Sequence, residues 1–187
     1  MKEKVLRIFA IIVIAIICFA LLVGGANFYQ SYIYHHPLEK ELTKIEGLEV
    51  IELEQNKNRL VLEVQFNSRE KLRQGFYLLL EHLQEQKKNK LEDCVLKINN
   101  ASPNQELVSF IKKAKLSIYE AISTGHFTAL PKQLTALAQQ DNLTYDLEVD
   151  QQFIFVTVKK GENFAHLIIN RGEIPLKIVT MGGGEFL

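Results

Sequence analysis

The sequence predicts an α+β protein in which an N-terminal transmembrane helix precedes a mixed ectodomain. Two observations support this prediction: residues 8–26 form an uncharged apolar run, and the residues after them alternate between helical and strand periodicities. The expected order of elements in the ectodomain is helix, strand, strand, helix, strand, followed by two helices and a three- or four-stranded antiparallel meander.

The predicted span rests on length and composition. Residues 8–26 hold no charged or strongly polar side chain, and as a helix rising ~1.5 Å per residue they would extend roughly 28 Å, close to the thickness of bilayer hydrocarbon. A cleavable signal peptide is the alternative, because residues 24–26 are small enough for a cleavage site, but its apolar core has only ~7–15 residues. The residues predicted to anchor the chain are Ile8, Phe9, Ile12, Ile16, Phe19, Leu22 and Val23.

Charge asymmetry predicts the orientation of this anchor. Three bases lie in residues 1–7, and no Lys or Arg follows the span until Lys40. Because positive charge stays on the cytoplasmic side, residues 1–7 should be cytoplasmic and the ectodomain extracytoplasmic. The juxtamembrane segment 27–37 is rich in aromatic rings, which favour the membrane interface. The predicted interfacial residues are Arg7, Phe28, Tyr29 and Tyr32.

The ectodomain is predicted to cover residues 38–180. A short helix over 38–45 precedes a hairpin, because alternating apolar residues on either side of 55–58 are typical of paired strands. Asn67 and Glu70 have capping-box spacing before an amphipathic helix, and residues 94–98 form the next strand. This first half ends at the polar segment 99–104, which is either a loop or a boundary between two subdomains.

The second half is predicted to contain two helices and a meander. Apolar residues recur at helical spacing from Leu107 to Ile122, and Gly125 suits the end of that helix. Pro131 suits the first turn of the next helix. Short connections join the apolar stretches 143–149, 153–158 and 164–169, so these should pair as sequential antiparallel strands. Residues 174–179 are predicted to add an edge strand, and 181–187 to form a flexible tail.

Composition excludes several classes of function. The formal net charge is zero, which does not favour a nucleic-acid partner. The two cysteines, Cys18 and Cys94, lie in the predicted span and the ectodomain, so no disulfide framework is expected. The adjacent His35 and His36 lack neighbouring ligands to complete a metal site. We therefore expect neither a metal nor a cofactor.

The most enzyme-like string is 124–128, where His126 lies on a turn between helices near hydroxyl groups. A structural interpretation is simpler, because Gly125 can end one helix and a histidine near a helix C-terminus interacts favourably with its dipole. No nucleophile elbow, phosphate-binding glycine loop or zinc motif occurs in the chain. The sequence therefore predicts a non-enzyme, with a hydrolase using His126 as a less favoured alternative.

No residue motif identifies a family. The predicted order of elements over 38–98 resembles that of ring-building domains in envelope and sporulation complexes, and the order over 93–170 is similar to that of POTRA-type docking domains. The resemblance implies a protein-interaction module in cell-envelope assembly, binding other envelope proteins or a second copy of itself. A sensor of small ligands or peptides is the alternative. The predicted docking edge consists of Ile174, Leu176, Ile178 and Val179, where Pro175 limits strand pairing.

Overall fold

A computed structural model describes residues 38–56, 59–85, 91–100, 104–172 and 174–180. Residues 38–42 are helical. The helices that follow are α1 (Leu72–Glu85), α2 (Gln105–Thr124) and α3 (Leu130–Gln140), and the strands are β1 (Leu48–Asn56), β2 (Arg59–Phe66), β3 (Cys94–Asn99), β4 (Thr144–Val149), β5 (Phe153–Lys160), β6 (Asn163–Asn170) and β7 (Lys177–Thr180). The predicted α+β class is confirmed.

The first sheet has the strand order β1, β2, β3, β7. The predicted hairpin is confirmed, because β1 and β2 pair antiparallel. Its inward side chains, Leu60, Leu62, Val64 and Phe66, are buried, as alternation along a strand requires. Helix α1 connects β2 to β3, and these two strands are parallel.

Helix α1 begins later than the capping-box prediction places it. Its first residue is Leu72, and the Ser68 hydroxyl accepts a hydrogen bond from the Lys71 N–H at 3.2 Å. Asn67 instead closes the end of the hairpin, where its backbone N–H donates to the Gly47 carbonyl and its side chain donates to Glu49. The predicted cap was therefore wrong because Asn67 is held by the sheet. The apolar stripe was right, since Leu72, Phe76, Leu79, Leu80 and Leu83 are all buried.

The second sheet is the predicted meander, with β5 paired antiparallel between β4 and β6. Helices α2 and α3 cover one of its faces and share a hydrophobic core with β5 and β6. The Asn104 side chain caps the start of α2 by accepting from the Leu107 N–H at 2.9 Å. Gly125 ends α2 in the left-handed conformation at φ 72°, as predicted.

The opposite face of the meander is also buried. Phe153 and Phe155 alternate with the residues that contact α2 and α3, so they point the other way. The Phe76 ring of α1 meets both edge-to-face, at centroid distances of 4.9 Å from Phe153 and 5.5 Å from Phe155. The central strand of the meander therefore packs against α1 on one face and against α2 and α3 on the other.

The meander has three strands, and the four-stranded alternative is wrong. Strand β7 leaves the meander and pairs in parallel with β3, in the register Leu96 opposite Ile178 and Lys97 opposite Val179. A connection that includes Pro175 runs from β6 to β7, and the Asn170 side chain holds it by donating to the Ile174 carbonyl at 2.5 Å and to the Leu176 carbonyl at 3.1 Å. Strand β7 thus forms one edge of the first sheet.

The predicted anchor at 8–26 lies outside the described residues. So do the cytoplasmic segment 1–7, the juxtamembrane segment 27–37 with its interfacial residues, and the tail 181–187. Across the part of the chain that the structure describes, no helix is both long enough and apolar enough to cross a bilayer. All described residues from Glu41 onward belong to one compact unit, and the sites described below lie in it.

Candidate docking surface

Strand β7 lies at an edge of the four-stranded sheet. It pairs with β3 on one side, and no described strand pairs with it on the other. An edge strand with an unpaired side offers backbone N–H and C=O groups to another extended chain. The predicted docking residues therefore lie on or just before a true sheet edge, although in a different sheet from the one expected.

The four predicted docking residues differ in exposure. Leu176 is buried and belongs to the core, whereas Ile174, Ile178 and Val179 are half-buried and Lys177 is exposed. Leu176 is therefore unable to contact a partner without local opening. The remaining three present part of their apolar surface together with the strand edge.

The other three sheet edges carry features that discourage pairing. Strand β1 has exposed carboxylates at Glu49, Glu52 and Glu54 and an irregularity in its register between Val50 and Glu52. Strand β4 exposes Asp146 and Glu148. Charges and bulges of this kind are typical of protected edges.

The edge of β6 is occupied by a side chain. The Asn100 amide donates to the His166 carbonyl at 3.1 Å and accepts from the His166 N–H at 2.7 Å. The Asn100 side chain thereby makes the hydrogen bonds that a neighbouring strand would make at that position. Strand β7 is short and carries Lys177, features that also discourage pairing. Among the residues that the structure describes, however, no side chain is seen bonded to its backbone as Asn100 is bonded to β6, so its unpaired side is the edge most open to another extended chain.

A groove of about 470 Å³ lies beside this edge and shares Ile174 with it. It runs between the side of α1 and the β4–β5 turn. Its lining residues are Gln74, Tyr77, Leu78, Leu80, Glu81, Gln84, Gln152 and Ile174. Leu78 is 38% exposed, and it gives the groove an accessible apolar patch.

One end of the groove is held by Tyr77 and Asp150. The Tyr77 hydroxyl donates to Asp150 at 2.9 Å, and the same carboxylate accepts the N–H groups of Gln152 at 2.9 Å and Phe153 at 2.8 Å. Arg73 adds an ion pair with Asp150 at 3.3 Å. These contacts fix the β4–β5 turn against α1 and make that end of the groove rigid.

The pKa values of this pair indicate a structural role. Burial, followed by the hydrogen bond to Asp150, raises the pKa of Tyr77 to about 12. Burial alone would raise the pKa of Asp150, but the N–H groups of Phe153 and Gln152, then Tyr77 and Arg73, lower it below its usual value. At neutral pH the phenol is therefore protonated and the carboxylate ionised. Neither group is suited to take up or release a proton there.

His126 is exposed and lies between α2 and α3. Its backbone N–H donates to the Thr124 hydroxyl at 3.3 Å, while the hydroxyls of Ser123 and Thr124 both donate to the Glu120 carbonyl. The nearby hydroxyls thus satisfy the helix end. Among the described residues no group of three or more potential ligands is placed to hold a metal ion.

His166, on β6, is a polar residue inside the core and is only 1% exposed. Its Nδ1 lies 3.0 Å from the Thr157 hydroxyl, and its Nε2 has no hydrogen-bond partner in the part of the chain that is described. Desolvation lowers its pKa to about 4, although the Phe66 backbone opposes the shift. The neutral imidazole is thus a component of the core.

Comparisons with known proteins leave the fold and the edge as the only basis for function. No protein-family model matches the chain, and no curated protein and no solved structure matches it significantly. The features that bear on function are the α+β domain, its edge strand β7 and the adjoining groove.

Proposed function

We propose that this chain is a single-pass membrane-anchored protein-interaction module, extracytoplasmic and active in cell-envelope assembly. The observation that carries the proposal is β7, an edge strand paired on one side only. The partner is an extended segment of another envelope protein, which adds to β7 as a further strand. Such β-augmentation gives affinity through the main chain and specificity through side-chain pockets.

The short length of β7 supports a two-part contact. Four residues, Lys177–Thr180, provide few main-chain hydrogen bonds, and each bond contributes only about 0.5–1.5 kcal/mol net. The groove that shares Ile174 with this segment can accept an apolar side chain of the partner, and full burial of such a side chain contributes about 1.5–3 kcal/mol. The edge would align the partner, and the groove would select it.

The membrane attachment in this proposal rests on the sequence. The uncharged run 8–26, the bases before it and the aromatic residues after it favour an anchor with a cytoplasmic N-terminus. An anchored domain meets its partners within the envelope, where local concentration compensates for a weak edge contact.

Charge substitutions on β7 test the docking edge. Ile178→Asp and Val179→Asp should each reduce partner capture from native membranes at least about tenfold, because a buried, unpaired carboxylate at the contact costs well over about 1.4 kcal/mol. Ile51→Asp is the matched control, since Ile51 is on the protected edge strand β1 and is 46% exposed. Capture is measured by crosslinking and affinity isolation, and folding by the melting temperature.

Because Ile178 and Val179 are half-buried, Ile178→Thr provides a milder variant that keeps the β-branched shape. It should lower capture while leaving the melting temperature close to that of the natural chain. Equal capture by all β7 variants and the Ile51→Asp control would refute docking at β7.

His126→Ala should leave biological activity intact, and loss of activity with unchanged capture and melting temperature would favour the hydrolase.

The groove also favours a second candidate, an extracytoplasmic sensor of peptides or small ligands. Its volume of about 470 Å³ falls in the range of ligand pockets. In a sensor, Leu78→Ala should abolish the ligand response and Ile178→Asp should leave it intact, because Leu78 lines the groove and Ile178 does not. In the docking function, Ile178→Asp should abolish partner capture and Leu78→Ala should only weaken it.

A further inference from the structure

The outward face of α2 exposes two large apolar side chains. Leu116 is 74% exposed and Tyr119 is 55% exposed, the two highest values among the exposed large hydrophobic residues described. The opposite face of the same helix is fully occupied by the meander core through Phe110, Ala114 and Ile118. The fold therefore accounts for one side of α2 and leaves the other side without a described contact for these two residues.

Three lysines surround this apolar pair. Lys112, Leu116 and Tyr119 follow one exposed line at spacings of four and three residues, and Lys113 and Lys115 flank it. Lys113 reaches the Gln140 amide oxygen at 3.5 Å, which leaves its positive charge unneutralised. Glu120 is the one carboxylate among residues 112–123. The outward face is thus basic and apolar together, in a chain with no net charge.

We propose that this face of α2 docks on the surface of a bilayer that contains anionic lipid. Leucine and tyrosine side chains favour the boundary between headgroups and acyl chains. Lysines beside them place their stems along the apolar surface and their ammonium groups among lipid phosphates. Near an anionic surface such a cluster is attracted by the surface potential.

A bilayer fits this face better than a protein partner, because the chain already lies next to one in the function proposed above. Eleven residues, 27–37, separate the predicted span from residue 38, and even when fully extended they reach at most about 40 Å. The helix itself is about 30 Å long. The tether therefore holds the domain beside the membrane, where the high effective concentration of bilayer surface makes a weak interfacial contact sufficient.

The absence of tryptophan from the chain permits a direct test. Leu116→Trp introduces a single tryptophan, excited selectively at wavelengths where tyrosine does not absorb, into the full chain, which is reconstituted in nanodiscs of phosphatidylcholine with phosphatidylglycerol. We expect blue-shifted emission and quenching by brominated lipid several-fold stronger than for Ile51→Trp, the matched control on β1. Replacing Lys112, Lys113 and Lys115 by glutamine, one at a time, should lower the ratio of docked to free protein about fivefold for each lysine.

Several outcomes would overturn the proposal. These are equal quenching at the two positions, quenching that is insensitive to salt and unchanged in phosphatidylcholine alone, or a blue shift without lipid quenching, which indicates self-association. Co-elution of the chain with nanodiscs reports the anchor separately. Failure of co-elution contradicts the membrane-anchored function, whereas co-elution without quenching contradicts only docking by α2.

Discussion

Replacing Phe76 by alanine is expected to lower the free energy of unfolding by about 3–5 kcal/mol. The Phe76 ring is fully buried and meets Phe153 and Phe155 edge-to-face across the packing between α1 and the meander. The substitution removes both ring contacts and leaves a cavity that neighbouring aromatic side chains cannot fill. Because domains are stable by only about 5–15 kcal/mol, much of the total would be lost.

Denaturant unfolding followed by circular dichroism measures this change, and the melting temperature should fall by about 6–20 °C. Leu78→Ala is the matched control, because Leu78 is on the same helix and is 38% exposed. It should cost less than about 1 kcal/mol. Equal losses for both variants would mean that α1 does not join the two sheets through Phe76.

Stability is expected to fall by about 2 kcal/mol between neutral pH and about pH 5 because of His166. Its pKa in the folded chain is lowered from 6.5 to about 4, first by burial and then by the nearby charge of Lys159. The unfolded chain therefore binds a proton that the folded chain excludes. The free energy of unfolding therefore keeps the full contribution of the neutral His166 above pH 6.5, and this contribution is lost as the pH falls toward 4.

Comparison with His166→Gln isolates this effect. Glutamine has a similar size and can bond Thr157, but it does not titrate, so the variant should lose less stability on going from neutral pH to about pH 5. Asp150 responds in more acidic solution, because its pKa lies below 3.8, and it affects both proteins alike. Identical pH dependence of the two unfolding curves would contradict a buried neutral His166.

Local signals account for most of the fold. Alternation along β2 predicted its inward residues, apolar runs predicted β5 and β6, and the helical stripe of α1 predicted Phe76 as a core position. Turn chemistry located the end of α2, because the φ of 72° at Gly125 is one that glycine adopts readily. These features depend on neighbours in the sequence, so the sequence alone can reveal them.

Long-range pairing was not predictable in the same way. Strand β7 follows β6 closely along the chain, which favoured a fourth meander strand, yet it pairs in parallel with the distant β3. The start of α1 was misplaced for a related reason, since the Asn67 N–H bonds to the Gly47 carbonyl in the sheet. The residues around β7 and Asn67 do not indicate that β3 and Gly47 are their pairing partners.

The candidate site was predicted in part. Ile174, Ile178 and Val179 are at a sheet edge, but the groove was missed because its walls come from α1, the β4–β5 turn and Ile174, which are far apart in sequence. The burial of His166 could have been predicted, since it shares one face of β6 with Phe164 and Ile168. A polar residue in such an alternation indicates a buried polar group.

Site-specific photocrosslinking from β7 in native membranes tests the central claim most directly. A photoreactive residue replaces the exposed Lys177, and a matched one replaces the exposed Glu52 on β1. Docking at β7 predicts one discrete protein adduct from position 177, absent from position 52 and lost when Ile178→Asp is added. The same adducts from both positions, or an adduct at 177 that survives Ile178→Asp, would contradict a docking function for this edge.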